Sequence, residues 1–121
     1  MAGTSDAGWG LAMEWGDPLA DPEAVRAQSP ITRVAQVTTP TLVLQGLADE
    51  RCPVGQAEQW FTALRVRGVP TGLVLYPEAS HLFILTGRPS HRVDYSRRIL
   101  DWTEQHVTTT CLLYTSDAAD A

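Results

Sequence analysis

Two side chains in this 121-residue chain have the types and the placement for acid–base chemistry. Asp49 lies in Gly46-Leu47-Ala48-Asp49-Glu50-Arg51-Cys52-Pro53, and His81 in Tyr76-Pro77-Glu78-Ala79-Ser80-His81. An imidazole titrates near neutrality, and a carboxylate that accepts its Nδ1 hydrogen fixes the tautomer and stabilises the imidazolium. Such a pair can take the proton of a hydroxyl nucleophile. Alone, each residue has a plainer reading: Asp49 as the cap of a helix starting near Val54 or the acceptor of a surface hydrogen bond, His81 as a loop histidine. Together they carry more weight, because each follows a short β-rich apolar run and acid precedes histidine, the chain order of hydrolase triads on parallel sheets.

The elements that must position them can be read from pattern. Thr41-Leu42-Val43-Leu44-Gln45, ended by Gly46, is nearly continuous in apolar character and predicts a strand buried on both faces, as in a parallel sheet. Gly72 to Tyr76 predicts a second strand, stopped by Pro77. Between them Ala57, Trp60, Phe61 and Leu64 fall at i, i+3, i+4 and i+7, with Gln56, Gln59 and Arg65 on other faces. That is an amphipathic helix, closed by Gly68 as a left-handed cap with Pro70 beyond. Strand, helix and strand with short links make a right-handed βαβ unit, and ligands gather beyond the carboxyl ends of such strands. The loops carrying Asp49 and His81 are therefore expected side by side.

Upstream, residues 1–20 read as loop with a short helical turn around Leu11 to Trp15. Asp21 as N-cap and Pro22 at the first helical position start a helix to about Gln28, and Ser29-Pro30 repeats the signal for another short turn. Downstream, Ser90 is the expected N-cap of a last helix with Tyr95, Ile99 and Trp102 on one face, ending near His106 or Val107. Residues 108–121 continue neither a helical nor a strand period and read as a non-native tail, resembling translated sequencing adaptor.

Composition removes other classes. With 44% apolar and 19% charged residues the chain suits a packed core, not disorder. No apolar run nears the ~20 residues of a membrane helix, and the start lacks the basic and apolar regions of a signal peptide, so no membrane partner and a cytoplasmic location are expected. A net charge of -5 offers no attraction for nucleic acid. Cys52 and Cys111 form neither a CxxC nor a disulfide framework, and no metal or cofactor is expected. Cys52 follows the acid and sits on no strand-to-helix elbow, which argues against it as a nucleophile.

A longer set of residues occurs together and in order: Ser29-Pro30-Ile31, Thr39-Pro40 through Gly46, Asp49 to Pro53, Gln56, Ala63-Leu64-Arg65, Gly68, Tyr76-Pro77, His81 and Trp102. This set resembles the C-terminal portion of the catalytic domain of the prolyl oligopeptidase family of serine peptidases, over roughly residues 3 to 107, and Ser5-Asp6 with Trp9 resemble its post-nucleophile segment. The resemblance implies an α/β class, the C-terminal half of an α/β-hydrolase fold, so that 1–107 is a partial catalytic domain and 108–121 the tail. It implies Asp49 as triad acid, His81 as triad base, and Arg51 as a ligand for a substrate backbone carbonyl, with peptide as substrate and an acyl-enzyme intermediate. The plainer alternative for Arg51 is a surface pairing with Glu50 or Glu58. Ser80 stands where many members have Gly, and Cys52 where Val is usual.

The family's nucleophile sits on a Gly-x-Ser-x-Gly elbow upstream of the acid. The nearest candidate, Gly3-Thr4-Ser5-Asp6-Ala7, lacks the second Gly and a preceding strand, so Ser5 is not read as the nucleophile. The expectation is a fragment without the N-terminal half of its domain, inactive by itself and prone to associate through an unpaired strand edge. Two other functions stay open: a fragment of another α/β-hydrolase, esterase or dienelactone-hydrolase-like, and a non-catalytic interaction module.

Overall fold

A computed structural model describes residues 4–107; the expected tail, Cys111 and Gly3 lie outside the described residues. Helices α1 (Gly8–Trp15) and α2 (Pro22–Gln28) and a 3-10 helix (Pro30–Gln36) precede strand β1 (Thr41–Gly46). Helix α3 (Val54–Val66), strand β2 (Thr71–Tyr76), the single turn α4 (Phe83–Thr86) and α5 (Pro89–His106) follow.

The expected βαβ unit is present. β1 and β2 pair in parallel with Thr41 opposite Thr71 and Gly46 opposite Tyr76. The Thr41 N–H donates to the Pro70 carbonyl at 2.9 Å, and the Thr71 hydroxyl donates to the Thr41 carbonyl at 2.9 Å, which pins the register at its start. α3 carries its apolar stripe onto both strands; Leu64 is fully buried and Ala57 nearly so. Its end is a Schellman motif: the Gly68 N–H reaches the Arg65 carbonyl at 3.0 Å and the Val69 N–H reaches Leu64 at 3.1 Å. This geometry needs the left-handed φ of 76° that Gly68 adopts freely.

Paired residues of a parallel sheet share a face, so Leu42, Leu44, Val74 and Tyr76 point away from α3. There Trp102 of α5 lies over Gly72, where an added Cβ would come within 3.3 Å of the indole. Tyr76, Ala79 and Phe83 form the buried cluster of this face, with Leu44, Val74 and Tyr95 packed against it. The result is a helix–sheet–helix sandwich, as the α/β reading expects.

Several expectations are corrected. Strand residues other than Gly46 and Tyr76 are half-buried, not buried, because among the described residues the sheet has two strands, each with one open edge. Ser90 is not the cap of α5. Arg88 holds that position with an extended backbone, as a residue before proline must, and Pro89 begins the helix. Ile99 is 40% exposed, so the buried face of α5 rests on Tyr95 and Trp102. α1 is a full two turns, and α4 has no counterpart in the sequence reading because three apolar residues and a threonine show no period. Asp21 caps α2 as expected, accepting the Ala24 N–H at 3.0 Å.

Large apolar side chains remain exposed, among them Trp9, Met13, Leu19, Leu85 and Leu100. With an open strand edge beside them, the purified chain is expected to self-associate with rising concentration. Light scattering after size exclusion checks this; a monodisperse monomer with reversible two-state unfolding is the contrary result.

Candidate active site

The two strand-end loops are laced together before any functional side chain is considered. Beyond β1, the Leu47 N–H donates to the Tyr76 carbonyl at 2.9 Å and the Ala48 N–H to the Ala79 carbonyl at 2.9 Å. Gly46 makes this approach possible. A Cβ on it would lie 2.3 Å from the Ala79 carbonyl oxygen and 2.9 Å from its carbon, both backbone atoms that cannot move aside alone.

Asp49 hangs from this laced turn. Its Oδ1 accepts the backbone N–H groups of Arg51 at 2.9 Å and Cys52 at 2.8 Å, an arrangement in which a carboxylate folds its own loop around itself. Its Oδ2 receives the Gln45 amide at 3.3 Å and faces His81 Nδ1 at 3.0 Å. The side chain of Asp49 is 8% exposed and that of His81 46%. Burial by itself pushes the Asp49 carboxyl up; the hydrogen bonds from the Cys52 N–H and His81, the charge of His81 and the Gln45 amide outweigh it, and the net direction is below the ordinary value of 3.8. Asp49 does not cap α3, whose first turn has no side-chain cap.

His81 rides on a loop with its own supports. Glu78 takes a left-handed φ of 56° and pairs with Arg88 at the start of α5. Ala79 is buried, and the Phe83 N–H closes a turn onto the Ser80 carbonyl at 3.1 Å. Ser80 itself has no positive φ, so its side chain fits where a glycine was the expected residue. Beneath the loop, Tyr76 stacks near Phe83 with ring centroids 4.9 Å apart and donates its hydroxyl to Asp94 at 3.1 Å. Burial and that hydrogen bond push the Tyr76 phenol up to about 12. With Nδ1 committed to Asp49, the Nε2 side of His81 makes no hydrogen bond among the described residues.

The third expected site residue, Arg51, does not pair with Glu50 or Glu58. Its Nε donates to Asp6 Oδ1 at 2.5 Å and its Nη2 to Asp6 Oδ2 at 3.3 Å. The Asp6 N–H also donates to the Glu50 carbonyl at 2.9 Å, and the Ser5 hydroxyl donates to the Arg51 carbonyl at 2.7 Å. Ser5 is thus engaged away from the imidazole. Burial and the neighbouring Asp49 charge push the Cys52 thiol up, opposite to what a thiolate nucleophile requires.

Two contributors escaped the sequence reading. Gln45 is the one polar residue at the end of an apolar strand, and that interruption was its signal. Asp6 had no such signal, because its partner lies 45 residues away. Among the described residues, no group of three His, Cys, Asp or Glu is placed to hold a metal, and no helix is long and apolar enough to cross a membrane.

A parallel βαβ sandwiched by helices, with its polar loops at the carboxyl ends of the strands, is the C-terminal part of an α/β-hydrolase fold. The chain belongs to the prolyl oligopeptidase family, whose model matches residues 2–110. It is 41% identical over 108 residues to the uncharacterised peptidase YuxL of Bacillus subtilis (strain 168), covering 87% of this chain and 16% of that protein. It is 32% identical over 96 residues to a putative carboxymethylenebutenolidase of Methylorubrum extorquens, covering 76% and 33% respectively. Among solved structures, the Pyrococcus horikoshii acylaminoacyl peptidase superposes with a TM-score of 0.82 at 25% identity, covering 87% of this chain and 17% of that one. The chain therefore spans about a sixth of YuxL and of the archaeal peptidase, and a third of the butenolidase.

Two outcomes follow from the geometry. Gly46→Ala should cost roughly 1–3 kcal/mol, the range of over-packing against an unyielding backbone, read as a lowered denaturation midpoint. Because the folded-state value of Asp49 lies below 3.8, its stabilising contribution is complete above that unfolded value and fades as pH falls through the folded one. Acid titration of stability should accordingly be shallower below pH 3.8 in Asp49→Asn than in the unaltered chain; equal slopes would refute the assignment.

Proposed function

We propose that this chain supplies the acid and the base of a Ser-His-Asp triad in a serine peptidase of the prolyl oligopeptidase type. The observation that carries this reading is the 3.0 Å contact between His81 Nδ1 and an Asp49 carboxylate held by two backbone N–H groups, with Nε2 left open. Asp49 keeps the proton of the neutral imidazole on Nδ1, so Nε2 carries the lone pair. That nitrogen takes the hydroxyl proton of the attacking serine as it adds to the acyl carbonyl, then returns it to the leaving amine. Asp49 stabilises the imidazolium between the two steps. Water repeats the sequence on the acyl-enzyme and releases the acid.

The serine and the oxyanion donors come, in this reading, from a segment outside the described residues. Ser5 is engaged with the Arg51 carbonyl, and among the described residues no strand precedes it. Arg51, two residues beyond the acid, offers its remaining N–H groups to a substrate backbone carbonyl. The chain alone is then catalytically silent, and peptide hydrolysis belongs to the longer polypeptide.

A second reading, hydrolysis of small esters or lactones, is favoured by the likeness to the putative carboxymethylenebutenolidase. It uses the same acid and base and differs in the acyl group presented to them. Against a purely non-catalytic module stands the construction of the pair: four hydrogen bonds converge on one largely buried carboxylate that orients a half-exposed imidazole. A surface built for docking alone has no use for that arrangement.

In an enzyme joining this chain to its upstream elbow, Asp49→Asn should lower kcat on a peptide substrate by about 10⁴ and His81→Gln by at least as much, with KM little changed. Turnover of a peptide substrate supports the first reading, and cleavage of the matched ester with no turnover of the peptide supports the second. Labelling of the isolated chain at a serine by a fluorophosphonate would overturn the proposal that the nucleophile lies elsewhere.

A further inference from the structure

We propose that Asp6 is a positioning and specificity-determining residue: it clamps one edge of the Arg51 guanidinium and cancels its charge, leaving a directed but neutral donor edge that selects a substrate carbonyl over a substrate carboxylate. The inference rests on the triad reading above, in which Arg51 stands at the substrate rim.

The contact geometry separates this role from simple stabilisation. Asp6 and Arg51 are 42% and 52% exposed at their side chains, and an ion pair so placed contributes little to folding. Yet it is bidentate, through Nε and Nη2, which fixes the plane of the guanidinium as a single contact does not. Arginine has five N–H donors, and Asp6 occupies two of them. The three left over, the second on Nη2 and both on Nη1, are not taken by Asp6.

The same short segment grips the backbone that carries Arg51. The Asp6 N–H holds the Glu50 carbonyl and the Ser5 hydroxyl holds the Arg51 carbonyl, while the Ala7 N–H donates back to Ser5 Oγ at 3.1 Å. On its other side that backbone gives the N–H groups of Arg51 and Cys52 to Asp49. Residues 5–7 therefore clamp one side of the turn whose other side holds the triad acid, and they orient the guanidinium and the carboxylate as one unit.

Charge then decides what the free edge accepts. An unpaired arginine attracts any anion; one neutralised by Asp6, with Glu50 on the same turn, still donates hydrogen bonds but presents no net positive field. A backbone or acyl carbonyl is taken up, whereas an incoming carboxylate meets the repulsion of Asp6 without a compensating cation.

The test uses the enzyme that joins this chain to its upstream elbow and compares kcat/KM for an N-acetyl peptide with its N-succinyl counterpart, which adds one carboxylate. Asp6→Asn should shift the acetyl-to-succinyl ratio by about tenfold or more toward succinyl, and Asp6→Glu should return it toward the unaltered value. Because both substrates are read on one preparation, the ratio does not depend on the folded fraction. In an Arg51→Met background the Asp6→Asn shift should vanish. An unchanged ratio in Asp6→Asn, or a shift that persists without Arg51, overturns the inference. Survival of hydrolysis in Asp49→Asn and His81→Gln would instead overturn the triad reading beneath it.

Discussion

The in-register parallel pairing of β1 with β2 is the constraint on which the rest of this structure depends. It sets Gly46 directly opposite Tyr76, so that both chains leave the sheet at one level and their loops meet immediately. The missing side chain at Gly46 lets the Ala79 carbonyl come in, and Leu47 and Ala48 then lace one loop to the other. A slip of one residue would turn Leu44 and Val74 out of the aromatic cluster and send the two loops off at different heights. Asp49 and His81 lie 32 residues apart in sequence and meet because backbone geometry leaves their loops no other course.

Within that frame the electrostatics are local. Removing a carboxylate from water raises its affinity for a proton, and a structure that needs it ionised must replace the lost hydration. Here the replacement is made by the N–H groups of Arg51 and Cys52, within the turn that Asp49 itself organises, and by the Gln45 amide at the end of β1. The loop that carries the imidazole is anchored by the buried Ala79 and Phe83 and by the Glu78–Arg88 pair. Asp49 is largely buried while His81 stays half-exposed.

The proposed function implies a division of labour. One part of an α/β-hydrolase sheet carries acid and base on consecutive strand ends, and another part carries the nucleophile. The proteins that resemble this chain include an uncharacterised peptidase and a putative carboxymethylenebutenolidase, so the shared fold does not by itself name the acyl group. In the proposed reading, selection among acyl groups falls to Arg51, which a carboxylate from a distant segment holds.

The local elements were readable because their causes are local: apolar period for α3, a proline after an N-cap for α2, glycine and proline punctuation around both strands. Asp49 and His81 could be paired on paper because a βαβ unit has a fixed hand and its strands end together. The start of α5 was misplaced by two residues because a proline's steric demand on Arg88 outweighed the capping preference of Ser90. α4 lay hidden in an apolar run without period. The sequence by itself determined the βαβ unit, the helices flanking it, and that the loops of Asp49 and His81 meet. Only the tertiary structure decided that Arg51 binds Asp6, that Gln45 completes the shell of Asp49, and that Gly46 must lack a side chain, because each of these depends on how closely chain segments distant in sequence approach one another.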